Sequence, residues 1–541
     1  MTPRRRLAGI GAFTLTSALL LSACGGGSGD DPEATGGDGG PTTGIVTVSN
    51  GEPQNPLIPT MTNETYGSKV INNLFAGLVY YDADGAVHNE MAESIETDDQ
   101  QTYTITLKDG WKFTDGTPVT ADSFVKAWNY GAQLSNKQNL SYFFEPIEGF
   151  SYEKDSELTG LKVVSDTEFT VKLTQPESDF KTRLGYAAFM PLPDSFFDDP
   201  KAFGEKPVGN GPYKLKSWEH NDQISLEPNA DYNGDRKAQN GGIDLIAYTE
   251  EDTAYNDLLS GNLDIVTNVP SSAFATFEDE LGDRAVNQPA AVIQVVNVPE
   301  YLPEWGGEAG HMRRKAVSMA INRDEITKTI YNGSRTPAKD FSSPVIDGWS
   351  DDVEGNEVLN YDPEGAKKLW DEAEGISKFG DQPITIASNA DSDHQTWVDA
   401  VCNNIRSALG VDCEFAPFPT FDEFLDARDN ETLKGMFRGG WQADYPAMSN
   451  FLGPIYGTGA GSNDMGYSNK DFDAKLKEAN GQSDPKKALE FYKQAQTILF
   501  EDMPGIPLWY QNVTAGYGED VDNVVFGWDS DPLLYQVTKE S

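Results

Sequence analysis

Hydrophobic and polar positions along this chain change period several times, and each change marks an element. Tyr103, Ile105 and Leu107 alternate with threonines, the period-two pattern of a strand with one buried face. Phe169, Val171 and Leu173 repeat that pattern before Pro176 closes it. Between the two runs, Asp109-Gly110 and Asp115-Gly116 predict turns, and Thr120 is the predicted N-cap of a helix through Phe124 and Trp128. Asp362-Pro363 and Asp484-Pro485 each set a capping carboxylate before a first-turn proline. After the second of these, Ala488, Tyr492, Ala495 and Leu499 recur at helical spacing as an apolar face. Strands and helices therefore mix throughout, which predicts an α/β protein, and the body shows no internal repeat.

The first 44 residues depart from this pattern. Arg4, Arg5 and Arg6 precede residues 7–21, which carry no charge and are mostly apolar or small. That run is too short for a comfortable bilayer span and reads as the core of an export signal. It ends in Leu21-Ser22-Ala23-Cys24, which resembles the lipobox of bacterial lipoproteins, where the cysteine is acylated and becomes the mature N-terminus. Residues 1–23 are therefore expected to be a signal peptide and Cys24 to carry a lipid. Residues 25–44 are rich in Gly, Asp, Thr and Pro and hold no bulky apolar side chain. Such a segment buries too little to fold, so 24–44 is expected to be a disordered tether. No other segment approaches transmembrane length. The expected location is extracytoplasmic, on the outer face of the cell membrane, with the lipid as the only attachment.

Composition sharpens this. A chain of 541 residues is long enough for two or three lobes with real cores. Asp plus Glu number 86 against 41 Lys plus Arg, a net charge of -45. That sign argues against nucleic acid as a partner and keeps a crowded surface protein in solution. With Cys24 assigned to lipid, Cys402 and Cys413 remain. Outside the cytoplasm such a pair usually forms a disulfide. Cys402 falls on a helix ending near 409–410 and Cys413 in the strand-like run 411–415, an order that brings the two together; two separate buried thiols are the alternative. His88, His220, His311 and His394 are scattered, with no HExxH, no GxSxG and no phosphate-binding GxxxxGK[ST]. No metal, cofactor or catalysis is expected, although abundant carboxylates leave a glycosidase-type acid pair open as an alternative.

Several segments in order resemble one family, the extracytoplasmic solute-binding proteins, family 5, of the oligopeptide- and dipeptide-binding type that serve ABC importers. They are residues 74–78 (LFAGL), 91–94 (MAES), the run 103–122 containing WKFTDGTPVTAD, 208–213 (VGNGPY), 260–265 (SGNLDI), 313–316 with 320–323, and the helix at 362–373. The resemblance implies the type II periplasmic-binding-protein fold: two α/β lobes across a cleft, joined by two crossing strands, plus an extra third lobe. Carried onto this chain, lobe I takes 45–70, 205–290 and 507–541, lobe II, the extra one, takes 71–204, and lobe III takes 291–506. It implies a peptide ligand enclosed by hinge closure, a monomer, and delivery to permease subunits with their ATPases.

The same resemblance implies the site. Residues 438–445 (RGGWQADY) match the family segment whose aspartate pairs with a peptide α-ammonium, which makes Asp444 the leading candidate; as a bare aspartate it would read as a cap or turn. Trp441 and Gln442 would line the cleft beside Tyr445, and backbone groups of Gly440 and Gln442 would pair with the peptide. Asn63, Glu64 and Thr65 match a strand-like segment on the opposing lobe. Arg438, Arg428 and His394 fall near positions that meet a peptide carboxylate, and Phe421 joins them; for His394 an ordinary surface histidine is the competing reading. Two departures stand out. The positions of a disulfide found in oligopeptide binders fall near Val292 and Gln442, and Pro446-Ala447-Met448 replaces an acidic stretch. A relative binding an opine, sugar, nickel chelate or siderophore shares this scaffold, so fold alone leaves the ligand open.

Overall fold

Two 13-residue strands, Ala285–Asn297 and Gly505–Tyr517, run antiparallel through the middle of an 11-stranded sheet in the computed structural model. The structure describes residues 41–390 and 394–541; the expected signal peptide, Cys24 and the tether up to residue 40 lie outside the described residues. On one side of the long pair lie Ile265–Val266, Ile45–Asn50, Gly242–Ala247, Gln223–Pro228 and Tyr213–Glu219. On the other side lie Met436–Gln442, Ile384–Asn389 and Cys413–Phe418. The long strands belong to both lobes, so they are covered on both faces and read as apolar runs rather than as alternation. Ile506, Leu508, Trp509 and Tyr510 are all fully buried.

The ladder between them breaks where one lobe gives way to the other. Register shifts between Pro289 and Ile293, because Pro289 has no N–H to donate and the chain bulges. Ala291, inside the bulge, is bonded to both sides: its N–H donates to Trp528 O (2.8 Å), and its carbonyl accepts from Ala443 N–H (2.9 Å). This is the fold the motifs implied, two α/β lobes joined by two crossing strands at a hinge.

The extra lobe is built on the sheet Ala92–Glu96, Thr102–Leu107, Glu168–Lys172 and Leu161–Ser165. Tyr103, Ile105 and Leu107 do alternate inward along their strand. Helix Ala121–Ala132 lies on this sheet, with Phe124 stacked 5.8 Å from Phe169 and Trp128 edge-on to it at 5.6 Å. The indole N–H of Trp128 donates to Phe189 O (3.0 Å), so this large apolar group buries no orphan donor. Asp362 and Asp484 cap their helices as the Asp-Pro pairs predict, accepting from Gly365 N–H (2.9 Å) and Lys486 N–H (3.0 Å).

Cys402, on helix His394–Leu409, is disulfide-bonded to Cys413, on the adjoining strand. The last residues of the expected tether do not follow the expectation. Thr42 N–H donates to Gln239 O and Gly44 N–H to Lys539 O, each at 2.9 Å, so the chain is already fastened to the body before residue 45. Among the described residues no helix is long and apolar enough to cross a membrane.

Candidate functional site

A cavity of about 310 Å³ lies between helix Thr65–Leu74 and the turn after strand Met436–Gln442. Asn63, Glu64 and Thr65 line it on one side, Gln442 and Asp444 line it too, and Tyr81 and Tyr186 also face it. Five of the residues singled out in the sequence therefore share one space.

The third-lobe wall is the strand Met436–Gln442 and the turn that follows. On one edge this strand pairs with Ala285–Asn297, in the register Val292 to Gln442 through Asn297 to Phe437. On the other edge Ile384–Asn389 reaches only Met436 and Phe437. From Arg438 through Gly440 to Gln442, that second edge carries no strand among the described residues. It is a row of unpaired backbone donors and acceptors whose Gln442 end reaches the cavity. Val292 and Gln442, where oligopeptide binders are bridged, are direct cross-strand partners here, tied by the ladder alone.

Asp444 follows the strand's end, held by the bond from Ala443 to the hinge bulge. Its own N–H donates to Asn450 Oδ1 (2.9 Å), and its Oδ2 accepts from Asn450 Nδ2 (3.1 Å). The indole N–H of Trp441 donates to the same Asn450 Oδ1 (2.8 Å). Asp444 forms no ion pair among the described residues. Burial pushes its carboxyl up to about 6, against the Asn450 amide and a more distant Arg183, both of which favour the ionised form. Tyr81, Tyr142 and Tyr186 stand in electrostatic reach of it: burial and then this charge drive the hydroxyls of Tyr142 and Tyr186 upward, and burial, then Tyr445, then this charge drive that of Tyr81.

The first-lobe wall corrects one expectation. Only Thr65 departs from the strand-like expectation, as the first residue of a helix; Glu64 before it keeps extended backbone (φ -115°, ψ 154°). Glu64 is the N-cap of helix Thr65–Leu74, and its carboxylate accepts from Gly67 N–H (2.9 Å) and Gln54 N–H (3.2 Å). A carboxylate three residues before a glycine amide closes a helix start, so the extended chain ends at Glu64 and the helix begins at Thr65. Further along this wall Lys69, almost fully buried, faces Asp531 at 3.8 Å. Burial lowers the Lys69 ammonium, and Asp531 and Asp529 oppose that. Burial and then Asp531 raise Asp529 to about 7. Beyond lies a closed ion pair, Glu90 with Arg236 (2.9 and 3.0 Å), to which Tyr232 also donates its hydroxyl.

The remaining candidates sit elsewhere. Tyr445 is buried with its ring under Arg183 (5.3 Å), at a seam between the extra and third lobes, and does not line the cavity. The alternation of the chain past Asp444 turns it away. Arg438 is largely buried, its Nε has no hydrogen-bond partner, and burial and then Arg428 lower its guanidinium. Arg428 is bound to Asp464 and Asp429, each at 2.9 Å. His394 opens its helix and accepts the Trp397 indole N–H at Nδ1 (3.1 Å). Phe421 is exposed on helix Phe421–Asp429, 6.2 Å from Phe424. The structure thus gathers 63–65 with 442 and 444, continues the strand to 438, and leaves Arg428, His394 and Phe421 outside the cavity lining. Asn450, Tyr81, Tyr186 and the Lys69 cluster were not picked out from the sequence; only Asn450, six residues from Asp444 on the next helix, lay within reach of a local argument. Among the described residues no group of three or more His, Cys, Asp or Glu is placed to hold a metal.

Comparison with known proteins bears on this arrangement. The model of the bacterial extracellular solute-binding proteins, family 5 Middle, matches residues 86–463. The oligopeptide-binding protein OppA of Bacillus subtilis is 29% identical over 539 residues, covering 94% of this chain and 95% of its own. The solved murein tripeptide binding protein MppA of Escherichia coli superposes with a TM-score of 0.74 at 21% identity, covering 92% of this chain and 99% of its own. The oligopeptide-binding protein AppA of Bacillus subtilis, solved in complex with a nonapeptide, does so with a TM-score of 0.72 at 20% identity, covering 93% and 100%.

Proposed function

The chain belongs to the bacterial extracellular solute-binding proteins of family 5, which are binding components of transport rather than enzymes, and from that premise we propose that it captures extracellular peptides by their free α-ammonium end. Asp444 is the ammonium's partner. The peptide backbone lies along the open edge from Arg438 to Gln442, adding a strand to it, and Asn63, Glu64 and Thr65 close the opposite wall. Backbone pairing is indifferent to side-chain identity, so peptides of varied sequence fit. Arg438, whose Nε has no hydrogen-bond partner, is the cation along that edge for the far carboxylate, while Arg428 is held by Asp429 and Asp464. Closure about the Pro289–Ile293 hinge encloses the ligand, because only the closed arrangement brings both walls to it. The single observation that carries this reading is a half-buried carboxylate without an ion-paired cation, set at the end of an open strand edge and facing a cavity.

In the cell, a lipid on Cys24 and the segment beyond it keep the monomer on the outer face of the membrane. There it delivers its ligand to permease subunits with their ATPases. The family resemblance supports this, and the OppA and AppA relatives, one named for oligopeptides and the other solved with a nonapeptide, support the ligand class. The lobes run as 45–70, 205–290 and 507–541, then 71–204, then 291–506; the strand order of the large sheet is consistent with that division.

Mass spectrometry of ligand released from the purified protein tests the class. Peptides with free N-termini are expected; a sugar, bile acid or metal chelate would overturn it. Titration calorimetry with tri-, tetra- and penta-alanine and their N-acetylated forms tests the pole. Acetylation is expected to abolish measurable binding, and equal affinity for both forms would remove Asp444 from its role.

A further inference from the structure

Asn450 makes three hydrogen bonds with one buried side chain, and each constrains the others. It is 2% exposed, on the first turn of helix Met448–Tyr456. Two N–H donors converge on its Oδ1, from Asp444 backbone (2.9 Å) and the Trp441 indole (2.8 Å). That fixes the amide's orientation, since the flipped rotamer would set an NH₂ against both donors. The Nδ2 side is then left facing Asp444 Oδ2 at 3.1 Å. An amide is the side chain that offers an acceptor and a donor at this separation; aspartate has no donor and leucine has neither.

Resting on the peptide-capture reading, we infer that Asn450 is a positioning residue for ligand recognition: it couples the Trp441 ring to the Asp444 carboxylate, holds that carboxylate ionised, and turns its Oδ1 toward the ligand's ammonium. The other groups facing Asp444 do not duplicate this. From the extra lobe come the hydroxyls of Tyr81, Tyr142 and Tyr186 and the more distant Arg183, and Asp529 shares Tyr81 with it from the first lobe. None of them forms a hydrogen bond to the carboxylate. Ligand binding through Asp444 therefore depends on a residue that does not touch the ligand.

The test uses the full chain carrying Asn450→Leu, with Asn450→Ser as a smaller change should the leucine variant not fold. In ligand-free protein, the Asp444 carboxyl titration is followed by carbon-13 NMR, assigned by its loss in Asp444→Asn. The midpoint is expected to move upward by about one pH unit, the scale of one lost hydrogen bond to a charged group. The Trp441 indole N–H resonance should move upfield at the same time. Tetra-alanine affinity should then be lost at a higher pH than in the unaltered protein. An unchanged Asp444 midpoint, or an affinity loss of equal size at every pH, overturns the inference. Its failure is distinct from failure of peptide capture. If N-acetylation abolishes tetra-alanine binding while the Asp444 midpoint is unmoved, only the role of Asn450 falls.

Discussion

Replacing Asp444 with asparagine should move stability and binding in opposite directions. In the ligand-free protein the carboxylate has one amide donor and no cation, and burial holds it up at about 6 against an ordinary 3.8. At about 1.4 kcal/mol per decade of protonation, keeping it ionised at neutral pH costs the fold roughly 3 kcal/mol. Asparagine is nearly the same shape and still accepts from Asn450 Nδ2, so the variant should recover part of that cost. For a protein this large the gain corresponds to about 2–3 °C in Tm, since unfolding entropy scales with chain length. Binding should suffer. An ammonium at hydrogen-bond distance from a partly buried carboxylate loses roughly 2 kcal/mol or more when the charge is removed, about a thirtyfold rise in Kd. Differential scanning calorimetry reads the first effect and titration with tetra-alanine the second. The acetylated peptide closes the cycle, because the variant should no longer distinguish it from the free form. A variant that melts lower, or still prefers the free N-terminus by the original factor, refutes the reasoning.

Ligand-free stability should decline as pH rises from about 4 to 7. Asp340, buried under the Ser342, Ser350 and Gln496 donors, is raised to about 6, and Asp529 to about 7. A raised carboxyl binds its proton more tightly folded than unfolded, so its stabilising share is complete below the unfolded value and vanishes as pH passes the folded one. Asp340→Asn should flatten the Tm–pH slope, and an unchanged slope would show that burial at this site is inconsequential. Breaking the Cys402–Cys413 bridge closes off an 11-residue separation from the constraint it imposes on the unfolded chain, worth about 3 kcal/mol on loop entropy; thermal melts with and without reductant should differ accordingly, and identical melts would contradict it. Cys24→Ala should shift the protein from the membrane fraction to the medium, read by fractionation and immunoblot, and retention on the membrane would remove the lipid from the account.

The sequence made most of the scaffold legible because its elements depend on local chemistry. Thr102–Leu107 alternates since one face is buried, and helices Pro363–Ile376 and Pro485–Asp502 start where an aspartate meets a proline. The two long crossing strands were anticipated only through family resemblance, because strands covered on both faces carry no period. Residues 63–65 show the limit of that route. They occupy the anticipated wall, yet Glu64 bonds to an amide three residues on and starts a helix. Tyr445 and Asn450 show another. Which of them turns toward Asp444 is decided by the turn at 443–447 and by Ala443 N–H reaching back to Ala291. That bond spans more than 150 positions along the chain, and no window of sequence contains it.

The carboxylates around the cavity can be sorted by what neutralises them, and that sorting separates scaffold from site. Glu90 has a guanidinium on both oxygens and a tyrosine hydroxyl besides, so it asks nothing of a ligand, and Glu90→Gln would leave Arg236 buried without its counter-charge. Glu64 is occupied by two backbone amides that shape the wall. Asp531 has Lys69 within 3.8 Å. Asp529 and Asp444 have no ion-paired cation: Asp529 accepts from the Asp531 N–H (3.2 Å) beside Lys69, whereas Asp444 has an orienting side-chain amide and stands where a strand edge ends. A protein that evolved only to fold would gain stability by losing that charge. Its presence makes sense if the missing cation arrives with the ligand, because the ligand-free cost then becomes part of the preference for the bound state. The same logic predicts that peptide binding raises Tm more above pH 6 than below it. Only the ionised carboxylate attracts the ammonium, and only the ionised carboxylate destabilises the empty protein. A ligand-induced Tm gain that is flat between pH 5 and 8 would place the charge recognition elsewhere.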